Sequence, residues 1–302
     1  MKKTILITGS NGLLGQKLVE LICTKNEFNL VATARGENRL NTEFKYIYTT
    51  MDITSRDDVF LVIKKQKPDI IIHTAAMTNV DQCEAEKELC WKQNVDAVQY
   101  ICEAAAIIDA HIIHLSTDFI FDGKSGPYDE FAEANPLSYY GDSKLAAEKI
   151  ILKCNLNWAI VRTVLVYGIA QDMSRSNIIL WVKKSLEEGK TIQVVDDQFR
   201  TPTLAEDLAM GCYLIAINKA NGIFNISGKE VLTPYDMAMK TCDFFNLDKN
   251  LIKKSDSSNF KQLAVRPPRT GFIIDKAIKQ LGYNPHAFEQ GIEEISKQIL
   301  KK

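Results

Sequence analysis

Along its first 165 residues the chain alternates short, almost unbroken apolar runs with longer stretches in which apolar positions return every three or four residues. The runs are TILIT at 4–8, LVATA at 30–34, DIIIH at 69–73, HIIHLS at 111–116 and WAIVRT at 158–163. Such short runs, rich in β-branched residues, predict strands buried on both faces. Helical periodicity occupies 12–25, 55–66, 86–108 and 139–152 between them. Strand and helix in alternation predict an α/β fold on a doubly wound parallel sheet, whose ligands lie beyond the carboxyl ends of the strands.

From about residue 166 the rhythm changes. A helical stretch at 174–188, a strand-like TIQVV at 191–195, a PT turn at 202–203 and helical patterns at 233–245 and 287–300 predict a smaller lobe over the sheet. The expected division is a large domain at 1–165, rejoined by 203–227, and a lobe made of 166–202 and 228–302. The loop 117–138 is long enough for a functional role, and its acidic EFAEAN at 130–135 reads as a solvated segment.

Composition narrows the class. With 302 residues, 46% of them hydrophobic, the chain can fill a sizeable core. Its 37 basic and 38 acidic residues give a net charge of -1 with no basic block, which argues against nucleic-acid binding. The N-terminal MKKTILITG is too short an apolar run for a signal peptide, and no stretch approaches a membrane span. Seven cysteines, odd in number and never spaced C-x-x-C, argue against a disulfide framework and a zinc site, so a soluble protein of the reducing cytoplasm is expected. His73 and His114 lie in apolar strands and read as core histidines, so no metal is expected.

The first strand runs into GSNGLLG, where Gly9, Gly12 and Gly15 are spaced three apart. Glycines there allow a tight turn and the close approach of a pyrophosphate to the N-terminus of the following helix, with Asn11, Leu13 and Leu14 completing the turn. A turn that needs glycine for packing alone is the plainer alternative. Together with the strand before and the helix after, the motif predicts a Rossmann-type dinucleotide site. The second strand ends in Thr33-Ala34-Arg35, with arginine where an acid would bind the free 2′-hydroxyl of NAD. Arg35 can pair with a 2′-phosphate, so NADPH is expected and NADH is the alternative; a solvated arginine is the bland reading. Asp52 and Ile53, after the next strand-like stretch, are placed to meet the adenine. A helix N-cap is the other use for Asp52, a job that Thr54 or Ser55 fills equally well.

Two further stretches carry chemistry. STDFIFDG at 116–123 leaves a strand, and PLSYYGDSK at 136–144 opens a helix. Only Tyr140 stands four before Lys144 and shares its helical face; Tyr139 points elsewhere. A pair of this kind is common on any helix surface, but here it follows a nucleotide turn and an STD motif. A carbonyl that receives hydride needs a proton donor and a second hydrogen bond to its oxygen. Together these motifs resemble the extended short-chain dehydrogenase/reductase superfamily, and the resemblance implies that Tyr140 is the donor, its pKa lowered by Lys144 and the nicotinamide, with Thr117 holding the carbonyl and Lys144 the nicotinamide ribose.

Within that superfamily the chain is most similar to the dTDP-4-dehydrorhamnose reductases, nearly end to end, through GSNGLLGQ, HTAAMTNVDQCE at 73–84, QNVDA at 93–97, YGDSKLAAE, VRTVLVYG at 161–168, DDQFRTPT at 196–203 and RPPRTGFIID at 266–275. The resemblance implies that Ala75, Ala76, Asn94 and Thr163 line or support the cofactor. It places Asp118, Phe119, Asn177, Asp197, Gln198, Arg200 and Arg266 by a nucleotide sugar. The implied reaction is NADPH-dependent reduction of the C4 ketone of a dTDP-linked 6-deoxyhexose, with a homodimer as a further expectation.

Three positions depart from the family pattern. VDQCE carries Gln82 and Cys83 where VDxAE is usual, Arg200 replaces a glycine, and Phe119 replaces a tyrosine. An arginine in the region of Arg200 reaches the diphosphate in related sugar-nucleotide epimerases, so an epimerase or a reductase of another nucleotide sugar is a competing reading. The regulatory β subunit of methionine adenosyltransferase, another branch of the same resemblance, supplies a non-catalytic one.

Overall fold

The computed structural model describes residues 2–40, 43–171 and 177–300. Its strands are β1 (Thr4–Thr8), β2 (Asn29–Ala34), β3 (Ile47–Thr50), β4 (Ile70–His73), β5 (His111–Thr117), β6 (Trp158–Thr163), β7 (Val166–Tyr167), β8 (Ile192–Val195), β9 (Thr203–Leu204), β10 (Gly222–Asn225) and β11 (Ile252–Ser255). Its α-helices are α1 (Leu13–Lys25), α2 (Arg56–Gln66), α3 (Val80–Ala85), α4 (Lys87–Trp91), α5 (Ala97–Ile108), α6 (Tyr139–Lys153), α7 (Ile178–Glu187), α8 (Ala205–Asn218), α9 (Pro234–Phe244), α10 (Asp275–Leu281) and α11 (Phe288–Leu300).

Seven strands pair in parallel in the order β10-β6-β5-β4-β1-β2-β3. Successive residues of a strand face opposite sides, and both sides are buried here. Ile5, Ile7, Ile70 and Ile72 join one core layer with Leu18, Ile22, Leu208 and Ile215 of α1 and α8. Leu6 and Ile71 join the other with Val59 and Ile63 of α2, Ile101 of α5 and Ile151 of α6. The chain leaves β1 toward β2 and β3 on one side and resumes at β4 on the other. That reversal opens a crevice at the carboxyl ends of β1 and β4.

The expected helix at 86–108 is not continuous. Between α4 and α5 the chain widens into a π-helical stretch, Lys92–Asp96, which places the buried Asn94. Of the helical stretch expected at 174–188, residues 174–176 lie outside the described residues and α7 accounts for most of the remainder. The strand-like 191–195 becomes β8, which pairs in parallel with β11. Residues 203–227 hold α8, packed on α1 with Lys17 and Glu206 2.8 Å apart, and β10 at the sheet edge beside β6. Nor is EFAEAN wholly solvated. Glu130 is buried, accepts a hydrogen bond from the Asn225 N–H at 3.0 Å and turns its carbonyl to Arg162, which is paired with Glu148 at 2.7 Å. Its carbonyl thereby ties the long loop to β6 and its carboxylate ties it to β10.

Candidate active site

A cavity of about 830 Å³ opens at the carboxyl ends of β1, β4 and β5. Gly9, Gly12, Leu13, Leu14 and Gly15 form one wall. A Cβ on Gly15 would lie 2.3 Å from the Gly9 carbonyl oxygen, so the turn can fold back on itself only with glycine there. Gly12 differs: an added Cβ would meet only the Gly9 carbonyl, at 3.3 Å. Packing constrains Gly12 less than Gly15, and glycine at 12 also leaves room for the close approach of a ligand. No side chain caps α1 and its first turn carries no acid, which leaves a helix N-terminus suited to an anion. These features fit the diphosphate of a dinucleotide. Asn11 does not line the cavity. Its amide holds the following loop, donating to the Glu37 carbonyl at 2.8 Å and accepting from the Arg39 N–H at 3.0 Å.

Arg35, Asp52 and Ile53 line the next part of the wall, with Ala75, Ala76 and Thr163 across from them. Asp52 is not a helix cap; Ser55 caps α2 through the Asp58 N–H at 3.3 Å. Asp52 instead accepts from the Thr54 N–H at 2.9 Å and its hydroxyl at 2.8 Å. Partial burial resists ionisation, but these bonds and the Arg35 charge outweigh it and hold the carboxyl below its ordinary range. An ionised acid beside an arginine leaves the arginine partly neutralised.

At the centre stand Thr117, Tyr140 and Lys144. Thr117 is the last residue of β5, and α6 begins under the cap of Ser138, whose hydroxyl accepts from the Gly141 N–H at 3.3 Å. A Cβ on Gly141 would come within 2.3 Å of the Phe119 carbonyl oxygen. That close approach lets the first turn of α6 press on the STD turn, where the Thr117 hydroxyl donates to Asp118 Oδ1 at 3.1 Å and accepts from the Phe119 N–H at 3.3 Å, in the same cavity as Tyr140. Tyr139 turns outward against Trp91, with ring centroids 6.2 Å apart.

Lys144 is anchored on β5. Its ammonium donates to the Leu115 carbonyl at 2.6 Å and lies 3.3 Å from Nε2 of the buried His114. His114 stacks on His73, whose Nδ1 is 2.7 Å from the Thr8 hydroxyl. Burial drives Lys144 down to about 8. Burial likewise pushes the Tyr140 phenol up, so Tyr140 holds its proton at neutral pH.

The far end is built from charged side chains. Asp118, Phe119, Gln198, Arg200 and Arg266 line it. Arg200 is buried, and its guanidinium is occupied by the protein: it donates to the carbonyls of Phe199 at 2.7 Å, Pro267 at 2.7 Å and Pro268 at 3.3 Å, and its Nε is 3.8 Å from Asp118. Asp118 also accepts from the Thr270 hydroxyl. Burial pushes Asp118 up and Arg200 down, toward their neutral forms, so this ion pair is a structural burden rather than a source of stability. Arg200 here braces the segment that carries Arg266.

Three more expected residues stand away from the cavity wall. Asn94 accepts from the Met77 N–H at 2.8 Å and donates to the Met77 carbonyl and Ser143 hydroxyl, both at 3.0 Å, tying the strand end to α6. Asn177 caps α7 through the Leu180 N–H at 3.0 Å. Asp197 accepts from the Ser257 N–H and hydroxyl, the latter at 2.7 Å. Sequence reasoning passed over Ser116, whose buried hydroxyl has no hydrogen-bond partner and belongs to the cavity wall. The S of STD was the signal for it.

A doubly wound sheet with a glycine turn on its first strand, and a buried Tyr–Thr pair in the same cavity, define an NAD(P)-dependent oxidoreductase of the extended short-chain class. Over residues 1–301 the chain matches the family described as RmlD substrate binding domain, and it belongs to that family. It is 30% identical to the dTDP-4-dehydrorhamnose reductase of Aggregatibacter actinomycetemcomitans, across 96% of this chain and 97% of that protein. It is also 30% identical to methionine adenosyltransferase 2 subunit beta of Bos taurus, across 97% of this chain and 86% of that one. A solved dTDP-4-dehydrorhamnose reductase from Bacillus anthracis, in complex with NADP, is similar with a TM-score of 0.83 at 28% identity, covering 99% of this chain and 100% of that chain. Among the described residues no helix is long and apolar enough to cross a membrane, and no group of three His, Cys, Asp or Glu is placed to hold a metal ion.

Proposed function

We propose that this protein reduces the C4 ketone of a nucleotide-linked 6-deoxyhexose with NADPH, and that its reaction is dTDP-4-dehydrorhamnose to dTDP-L-rhamnose. The observation that carries the reading is that Thr117, Tyr140 and Lys144 share one cavity, and that this cavity begins at the glycine turn. Bound NADPH supplies the hydride. Thr117 and Tyr140 hold the ketone oxygen between their hydroxyls, and Tyr140, kept protonated by burial, gives that oxygen its proton as charge builds there. Lys144, fixed by Leu115 and His114, presents a buried positive charge that offsets the phenolate Tyr140 becomes. Of the residues that line the cavity, Arg35 would hold the 2′-phosphate, Arg266 the sugar nucleotide's diphosphate, and Phe119 and Gln198 the sugar. The seven free cysteines support a reducing compartment, the cytoplasm.

The 30% identity to a methionine adenosyltransferase subunit favours a second reading, a binding partner without turnover. Substrate profiling separates the two. NADPH absorbance is followed with 4-keto-6-deoxyhexoses linked to dTDP, UDP and GDP. The reductase reading expects oxidation, fastest with the dTDP sugar. NADPH binding without oxidation of any of the three favours the binding partner.

A further inference from the structure

We propose that Asp81 is the positioning residue for Arg266, fixing its guanidinium so that the unused donors meet the diphosphate of the nucleotide sugar; the inference rests on the reading of Arg266 as a diphosphate ligand. The two residues are 185 positions apart in the chain, and each lies in a different part of the fold. Asp81 is in the first turn of α3, shortly after β4 of the large sheet. Arg266 opens the RPPR segment, which enters from the C-terminal part of the chain.

The contact is a fork. Asp81 Oδ2 accepts from Arg266 Nη2 at 2.8 Å and Oδ1 from Nη1 at 3.3 Å, while Oδ1 also accepts from the Ala264 N–H at 3.0 Å. Nη1 reaches the Ala264 carbonyl as well, at 3.2 Å. A guanidinium has five N–H groups. Three are committed here, and the Nε–H and one Nη2–H remain on a side chain that lines the cavity. A planar guanidinium held by two parallel bonds has one orientation, whereas a free arginine must be ordered when its ligand arrives. The hydrogen bond from Arg266, with that from Ala264, holds the Asp81 carboxyl below its ordinary range, so the pair stays charged at neutral pH.

The opposite possibility makes the opposite prediction. If Asp81 competes with the diphosphate for Arg266, removing it tightens binding; if it positions Arg266, removing it loosens binding.

The test titrates dTDP, UDP and GDP, and NADPH separately, into the full-length wild type, Asp81→Ala, Asp81→Asn, Arg266→Met and the Asp81→Ala/Arg266→Met double variant. The nucleoside diphosphate that binds wild type best serves as the probe. Asp81→Ala is expected to weaken it about tenfold, and the near-isosteric Asp81→Asn to weaken it less, with NADPH affinity unchanged in both. The double variant should bind no more weakly than Arg266→Met alone. With the keto-sugar nucleotide, Asp81→Asn should raise KM while leaving kcat within about twofold. Binding by Asp81→Ala as tight as wild type or tighter, or an Asp81 effect that persists in the Arg266→Met background, would overturn the proposal alone. Wild-type affinity in Arg266→Met, or no diphosphate bound by wild type, would overturn both the proposal and the reading beneath it.

Discussion

The two ends of the cavity are built from different materials. The end at the glycine turn is backbone: the close turn at Gly9, Gly12 and Gly15, the uncapped start of α1, and the ends of β1 and β4. The other is side chains: Asp118 holds Arg200 and Thr270, Arg200 holds the carbonyls of Pro267 and Pro268, and Asp81 separately holds Arg266. Backbone geometry suits a ligand part shared by many enzymes. Charged side chains can be retuned one residue at a time, and two of this chain's departures, Arg200 and Phe119, sit among or beside them.

Removing one of these side chains should do the greatest damage. Arg200→Met would leave Asp118 buried without its partner and the Pro267 and Pro268 carbonyls without their donor, and about 3–5 kcal/mol of stability should be lost in denaturant unfolding. Adding Asp118→Asn should return part of it; an unchanged unfolding midpoint in Arg200→Met would mean that Arg200 is not what holds this end. The charge between the two ends gives a pH test. Lys144 titrates at about 8 in the folded chain against an ordinary 10.5, so the folded state releases this proton first. Stability should therefore rise with pH between those values, by roughly 3 kcal/mol at most, with the penalty fully felt below about 8. Melting temperatures across that window should show the rise in wild type and not in Lys144→Met. At the backbone end, Gly15→Ala forces a Cβ against the Gly9 carbonyl and should lower stability by about 1–3 kcal/mol. NADPH affinity should fall with it while nucleoside-diphosphate affinity stays; equal loss of both would erase the distinction between the ends. Phe119→Tyr, which adds one hydroxyl beside Tyr140, should change only KM for the keto-sugar nucleotide, by less than about tenfold.

The same difference decides what could be read from the sequence. β6 spans the residues expected of it, and the first turn of α6 puts Tyr140 rather than Tyr139 in the cavity, because period and spacing are local properties. The glycine turn was legible for that reason too. The side-chain end was not, because its contacts join Asp81 to Arg266 and Asp118 to Thr270 across 185 and 152 positions. Helical periodicity likewise ran smoothly from 86 to 108 and concealed the π-helical stretch that buries Asn94. Tyr140 and Lys144 share a helical face as spacing requires, yet burial and the pull of the Leu115 carbonyl decide their chemistry. Glu130 looked solvated in an acidic run, but the N–H of Asn225, on an edge strand not foreseen, needed its carboxylate.

The central claim is that Tyr140, which lines the cavity with Thr117, gives the proton to the reduced carbonyl. Single-turnover NADPH oxidation with the dTDP-linked 4-keto-6-deoxyhexose, in wild type and Tyr140→Phe, tests it most directly when NADPH affinity is measured alongside. The account predicts a rate lower by about 10²–10⁴-fold in the variant, with NADPH bound as tightly as before. A variant that oxidises NADPH at the wild-type rate would contradict it.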